Sequence, residues 1–155
     1  MKEDNLDAVI LAAAGLNRLG FTSVITELLD VDFSIPAIGQ GALGLECRLD
    51  DTATIEALSF MNHSATASAV AAERALLKRC EGGCQVPIAA HGTVIGNTLT
   101  LVGFIASVDG KQTVRDTISG SADDAVTLGC ELADRLLAAG GKSILEEVYQ
   151  REING

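Results

Sequence analysis

The sequence predicts an α+β fold in which an antiparallel sheet of about three strands carries helices on one face. The dipeptides Gly96-Asn97 and Asp109-Gly110 separate runs that are rich in β-branched and apolar residues. Glycine beside Asn or Asp tolerates the positive φ of tight turns, so each dipeptide predicts a hairpin. Hydrophobic residues make up 48% of the chain and charged residues 21%, which favours a packed core over disorder.

The elements of this α+β domain follow from their boundary residues. Polar residues that can cap helix N-termini precede several apolar stretches, and glycine pairs follow two of them. The sequence therefore predicts helices at 52–58, 64–80 (capped by Ser64 and ended by Gly82-Gly83), 121–139 (after the capping-box spacing of Ser121-Ala-Asp-Asp124) and 143–152 (capped by Ser143), with strands in 86–90, 93–95, 99–108 and 112–118.

The first 50 residues have a different character. An unbroken apolar run ending at Gly15 is typical of a strand buried on both faces. The predicted elements are a strand at 6–14, a helical turn at 16–19 closed by Gly20, a helix at 22–29 capped by Thr22, a loop at 36–41 and a strand at 42–48. These pieces are too few to complete a sheet. We expect them to pair with another chain, to pack on their own domain, or to stay mobile.

Charge and cysteine content narrow the functional class. Eleven basic and 21 acidic residues leave a net charge of −10, which argues against binding to nucleic acid or to an anionic membrane. The longest apolar run, 8–16, is too short to span a membrane and follows acidic residues, unlike a signal peptide. Four irregularly spaced cysteines do not make a disulfide scaffold. A reduced, cytoplasmic protein is expected.

A cysteine on a glycine loop is the strongest chemical candidate. Cys84 lies in Glu81-Gly-Gly-Cys-Gln-Val-Pro-Ile88, where two glycines allow close approach of a bulky group and Pro87 stiffens the exit. A thiol in such a loop can be a nucleophile or a covalent anchor. Alternatively, Gly82 and Gly83 only end the helix and Cys84 is a small apolar residue. The residues alone leave both interpretations open.

The remaining cysteines and histidines give weaker indications. Cys80 and Cys84 could form a redox or metal pair, but no second pair of ligands has suitable spacing. No metal site is therefore expected. Cys47 and Cys130 lie in apolar patterns, so we expect them in the core. His63 is expected to cap or pack near a helix start.

Two further features, Arg18 and the segment Gly39-Gln40-Gly41, can be compared with known anion-binding sites. Arg18 follows the predicted buried strand and a glycine turn, the position at which open α/β sheets place ligands. It could clamp a carboxylate, or it could be a solvated surface residue. The segment Gly39-Gln40-Gly41 lacks the third glycine and the Lys-Ser/Thr pair of phosphate loops. The paired acids at 50–51, 123–124 and 146–147 are interpreted as turn and cap residues.

Four motifs in order resemble the C-terminal half of the porphobilinogen deaminase (hydroxymethylbilane synthase) family. The resemblance covers essentially the whole chain; it is strongest over residues 7–90 and looser beyond them. The motifs are Asp7-Ala-Val-Ile-Leu-Ala-Ala-Ala-Gly-Leu-Asn-Arg-Leu-Gly20, Ile35-Pro-Ala-Ile-Gly-Gln-Gly-Ala-Leu-Gly-Leu-Glu-Cys-Arg-Leu-Asp-Asp51, Ala72-Glu-Arg-Ala75 and Glu81-Gly-Gly-Cys-Gln-Val-Pro-Ile88.

The resemblance implies a domain plan and a cofactor site. Residues 1–32 would end the second domain and residues 33–51 would return to the first, both being remnants of periplasmic-binding-protein-like domains. Residues 52–155 would form the cofactor-bearing domain. Cys84, on its Gly82-Gly83 loop, matches the cysteine that carries dipyrromethane through a thioether. Arg18 matches an arginine that binds pyrrole acetate and propionate groups, and Gln40 and Gly41 match a segment bordering the cofactor.

The resemblance also implies an activity that this chain does not complete. Family enzymes add four porphobilinogen units to the primer with loss of ammonia and release hydroxymethylbilane. The catalytic aspartate of the family falls outside this chain, so we expect it to be a C-terminal part that is inactive alone. It would need a complementary N-terminal chain, or would self-associate through residues 1–50. Two alternatives are a non-catalytic binding or regulatory domain, and a thiol redox module using Cys80 and Cys84.

Overall fold

A computed structural model describes residues 6–81 and 86–154, with side chains to residue 150. The chain divides into two compact units, Met1–Ser34 and Ile35–Gly155. In the described residues no helix is both long and apolar enough to cross a membrane.

The N-terminal unit contains a short helix, α1 (Ala13–Arg18), and a single 3-10 turn at Thr22–Val24. Gly20 follows α1 with a φ of 78°, so the predicted helical turn closed by glycine is confirmed, although the helix begins earlier. The strand predicted at 6–14 is wrong: residues 6–34 contain no strand, and Ile10 is 78% exposed. The helix predicted at 22–29 is also wrong beyond its first turn. A strand needs a hydrogen-bonded neighbour, and the described part of this unit supplies none.

The second unit is α+β, as predicted. Described helices of this unit pack with one three-stranded sheet. The last two helices are separated by a kink at Gly140, whose φ of 115° is not helical, as the predicted stop at this glycine pair requires. The elements are α2 (Thr52–Leu58), a 3-10 turn (Ser59–Met61), α3 (Ser64–Arg79), β1 (Ile88–Ile95), β2 (Thr98–Ala106), β3 (Thr113–Ser121), a 3-10 turn (Ala122–Asp124), α4 (Ala125–Leu136) and α5 (Lys142–Asn154).

Both predicted hairpins are confirmed. The strands are antiparallel in the order β1-β2-β3. Ile95 pairs with Thr98 across the two-residue turn at Gly96-Asn97, where Gly96 has a φ of 61°. In the second turn, Gly110 has a φ of 71°. Tight turns require such a left-handed conformation, and glycine adopts it without steric cost.

The core lies between one face of the sheet and helices α3 and α4. Alternate residues of β2 are buried, as a strand with one covered face requires. Gly103 on that face lies under the helices, since a Cβ there would be 2.7 Å from Leu136 and 2.9 Å from Leu76. The largest fully buried side chains are those of Leu76, Leu99, Leu101, Ile105, Leu132 and Leu136.

Several boundaries differ from the predictions. His63, not Ser64, caps α3, because its Nδ1 accepts from the Thr66 amide at 3.3 Å. Ser143 lies inside α5 and donates to the Gly140 carbonyl at 2.8 Å instead of capping. The strand predicted at 42–48 is wrong: the segment is irregular and Leu43 is 99% exposed. Its backbone has no strand beside it among the described residues.

Candidate functional site

The cysteine loop itself falls outside the described residues, but both of its flanks are described. Gly82, Gly83 and Cys84 belong to the undescribed segment 82–85. The predictions for these three residues therefore stay predictions. The flanks are the end of α3 on one side and the approach to β1 on the other.

The N-terminal flank is fixed by the last helix. After α3 ends, Glu81 adopts a φ of 55°, a left-handed conformation that is uncommon outside glycine. Its amide donates to the Lys78 carbonyl at 3.1 Å, and its carbonyl accepts from the Tyr149 hydroxyl at 2.8 Å. Tyr149 comes from α5, so the C-terminal helix fixes the backbone immediately before the cysteine loop.

The C-terminal flank is fixed by the sheet. The Pro87 carbonyl accepts from the Ala106 amide at 3.1 Å, and Ile88 pairs with Ile105. Ile88 is also buried in the core. The chain is thus held by hydrogen bonds on both sides of residues 82–85.

Cys80 is a structural thiol by its surroundings. It is only 3% exposed and belongs to the core. Burial raises the pKa of its thiol to about 11, with a smaller contribution from the nearby negative charge of Asp134. A thiolate at this position is disfavoured, which counts against a redox pair between Cys80 and Cys84.

The other described cysteines correct one prediction. Cys47 is exposed, not in the core, because its segment forms no strand. Cys130 is half-buried and is not among the core residues, so its predicted place in the core is wrong as well. No three His, Cys, Asp or Glu side chains within residues 6–81 and 86–154 are placed to hold a metal ion.

Arg18, Gln40 and Gly41 are all exposed. Arg18 is the last residue of α1, in the N-terminal unit. Gln40 and Gly41 lie in a turn of the second unit, where the Gln40 amide donates to the Ala37 carbonyl at 3.3 Å. The predicted loop at this position is confirmed, and Gly41 has a φ of 78°.

The loop before Gln40 is attached to the sheet. Ala37 forms an isolated antiparallel bridge with Ala89 of β1, and Ile38 packs against the core. The Gly39-Gln40-Gly41 turn is therefore a fixed part of the second unit, unlike the irregular segment that follows it.

Glu73 is the residue that sequence reasoning missed. It lies on α3, is only 5% exposed, and is the buried charged residue of the described chain. One carboxyl oxygen accepts from the Gly39 amide and the other from the Gly92 amide, each at 2.8 Å. The available signal was an acidic residue beside Ala72 and one turn from Ala69 and Leu76 on the apolar face of α3.

Two family models match this chain. The model described as "Porphobilinogen deaminase, dipyromethane cofactor binding domain" matches residues 1–56, which include Arg18, Gln40 and Gly41. The model described as "Porphobilinogen deaminase, C-terminal domain" matches residues 67–138, which include Glu73 and Cys84.

Curated relatives agree with the family models. The porphobilinogen deaminase of Trichlorobacter lovleyi is 88% identical over 153 residues, which are 99% of this chain and 49% of the relative. Those of Pelobacter propionicus and Geobacter sulfurreducens are each 68% identical, over 99% of this chain and 49% and 48% of their own lengths. The chain spans about half the length of the curated relatives it matches. The resemblance found in the sequence is confirmed: the chain belongs to the porphobilinogen deaminase family.

Proposed function

We propose that this chain supplies the C-terminal, cofactor-bearing part of hydroxymethylbilane synthase, with Cys84 as the attachment point of dipyrromethane. The observation that carries the proposal is the match of residues 67–138 to the deaminase C-terminal domain. The anchoring of both flanks of residues 82–85 supports it, because a covalent carrier requires a loop with a fixed base.

The described residues around the Gly39-Gln40-Gly41 turn are compatible with a bulky ligand. A Cβ placed on Gly39 or Gly41 would meet no atom within 4 Å among the described residues, so space is open beside the turn. When bound, dipyrromethane supplies the primer to which porphobilinogen units are added with loss of ammonia. By the family resemblance, Cys84 would hold it through a thioether, the Arg18 guanidinium would pair with ring carboxylates, and Gln40 and Gly41 would border it.

We infer further that the chain does not turn over porphobilinogen by itself. Its net charge is −10, whereas each pyrrole ring of the growing product carries two carboxylates that need cationic partners. Arg18 is the one such partner the resemblance assigns here. The remaining cations, and the catalytic aspartate, belong to the N-terminal half of the enzyme.

The partner is a complementary N-terminal chain or half. Residues 1–32 then complete the second domain and residues 33–51 the first, each of a periplasmic-binding-protein-like type. Exposed apolar side chains at Ile10 and Leu43 support this arrangement, since apolar segments without a strand partner are suited to sheet completion. Self-association through residues 1–50 is the competing use of the same segments.

The test combines this chain with the N-terminal half of the Trichlorobacter lovleyi relative. Incubation with porphobilinogen should add the mass of two linked pyrroles to this chain and release hydroxymethylbilane. The Cys84→Ser variant should gain no mass, whereas Cys130→Ser, which changes a half-buried thiol of α4 outside residues 1–51, should behave as the parent chain.

Three other outcomes would overturn the proposal. Two folded halves that show neither added mass nor product would exclude the cofactor role. Product formation by this chain without its partner would exclude the proposal that the N-terminal half supplies the catalytic aspartate and the remaining cations. A loss of two hydrogen atoms (two protons and two electrons) to an added oxidant, in place of pyrrole addition, would indicate a Cys80–Cys84 redox pair.

A further inference from the structure

Three elements of the second unit meet at one buried carboxyl group. Glu73 of α3 uses one oxygen for Gly39, which precedes Gln40, and the other for Gly92 of β1. These amides are 34 and 19 residues away in the sequence. No buried side-chain nitrogen or oxygen atom in the described residues lacks a hydrogen-bond partner, and each oxygen of this carboxyl group accepts one backbone amide.

The close approach of α3 to β1 depends on Gly92. A Cβ at this position would lie 3.1 Å from both the Cα and the Cβ of Ala69. This distance is shorter than an ordinary van der Waals contact, so the helix and the strand can approach this closely only because residue 92 has no side chain. The approach brings the Gly92 amide within hydrogen-bond distance of Glu73, one turn further along α3.

Helix α3 also leads directly to the cysteine loop. From Glu73 to Cys80 there are seven residues, or roughly 10 Å of helix axis. The backbone is bonded continuously to that point, since the Cys80 amide donates to the Leu76 carbonyl at 3.0 Å. A single rigid element therefore connects the bond to Gly39 with the base of the segment that carries Cys84.

We propose that Glu73 is a positioning residue for the cofactor: it fixes the Gly39-Gln40-Gly41 turn relative to α3, the helix that precedes Cys84 in the chain. This inference rests on the proposed function and adds to it a residue whose role the resemblance does not assign. Glu73 does not touch the pyrroles. It acts through the backbone of the turn that the resemblance places beside them and through the helix that precedes Cys84 in the chain.

The first arm of the test measures amide exchange in this chain alone. Glu73→Gln keeps the shape of the side chain but replaces one accepting oxygen with an NH₂ donor, so one of the two amides loses its acceptor. Exchange at Gly39 or Gly92 should become at least about tenfold faster, equivalent to about 1.4 kcal/mol. The Gly110 amide, bonded to Ser107 at 2.9 Å, should be unchanged. Unaltered exchange at both Gly39 and Gly92 would overturn the proposal.

The second arm measures cofactor loading with the N-terminal half of the relative. Below the melting temperature of all variants, Glu73→Gln should load pyrrole on Cys84 at least about tenfold more slowly, because small misplacements of reacting groups are costly. Leu128→Ala is the matched control: it removes a buried side chain of α4 that packs at Gly120, so it lowers stability without touching the turn.

The two arms separate the possible failures. Slow loading in Glu73→Gln with normal loading in Leu128→Ala supports positioning. Equal slowing in both variants would reduce Glu73 to a structural residue and overturn the proposal. If the parent chain is never loaded, the proposed function fails and the positioning role fails with it. The exchange arm still reports whether the carboxyl group holds the two amides.

Discussion

The substitution Gly129→Ala tests how closely α3 and α4 pack. Gly129 lies in the middle of α4 and is buried. A Cβ there would overlap the carbonyl oxygen of Ala72 and lie 2.9 Å from the Cβ of Ala75. Both neighbours belong to α3, the helix that carries Glu73. The helix backbone cannot rotate away from this overlap as a flexible side chain could.

Two opposite effects decide whether Gly129→Ala raises or lowers the free energy of unfolding. Alanine is better than glycine in a helix by about 0.8–1.0 kcal/mol. Overpacking a filled core costs about 1–3 kcal/mol and occasionally more, and a collision with backbone belongs at the upper end. The free energy of unfolding should therefore fall by about 2 kcal/mol. With a urea m-value of about 2 kcal/mol/M for a domain of this size, the midpoint should fall by about 1 M.

Urea unfolding followed by circular dichroism measures this shift. The matched control is Gly15→Ala in α1, where a Cβ would meet no atom within 4 Å, and where the same substitution should leave the midpoint of the second unit unchanged. A higher midpoint for Gly129→Ala, as helix propensity alone demands, would refute the described contact between α3 and α4. The Gly39 amide should also exchange faster in this variant, since a displaced α3 moves Glu73.

Three further predictions concern the flanks of the site and its cysteines. Tyr149→Phe keeps the ring but loses the hydrogen bond at the base of the cysteine loop; it should lower the free energy of unfolding by about 0.5–1.5 kcal/mol, and an unchanged melting temperature would contradict the bond. At pH 8 iodoacetamide should label Cys47 before Cys80: a pKa of about 11 against an ordinary 9.0 gives Cys80 about a hundredfold less thiolate, so equal labelling rates by peptide mass would refute its burial. Hydrogen bonds from the Thr54 hydroxyl and amide lower the pKa of Asp51 below its ordinary 3.8. Because the folded-state pKa is the lower one, this stabilisation of α2 is present above pH 3.8 and is lost as the pH falls through the folded value. Circular dichroism between pH 7 and pH 2 should show a smaller loss of stability in Asp51→Asn than in the parent chain.

Local signals were sufficient for α2 and for the two hairpins of the second unit. The turn residues at Gly96-Asn97 predicted the first hairpin, and the helix predicted at 52–58 coincides with α2. Both depend on the conformational preferences of a few adjacent residues. The family was also recognisable from short motifs, because their residue types and order are specific. Cys84 and Arg18 were candidates from their local sequence, whereas the cofactor roles of Cys84, Arg18, Gln40 and Gly41 came from that resemblance.

The tertiary structure decided the features that depend on distant partners. The apolar runs at 6–14 and 42–48 have strand-like composition, yet they form no strands, because a strand exists only where a neighbour accepts and donates its backbone hydrogen bonds. The hydrogen-bond partners of Glu73 could not be predicted from the sequence either, because the Gly39 amide lies in a loop and the Gly92 amide lies in β1. The sequence by itself determined the local elements and the family. Only the folded chain showed that a buried carboxyl group ties the Gly39 turn to α3, because burial and hydrogen-bond geometry arise when distant segments meet.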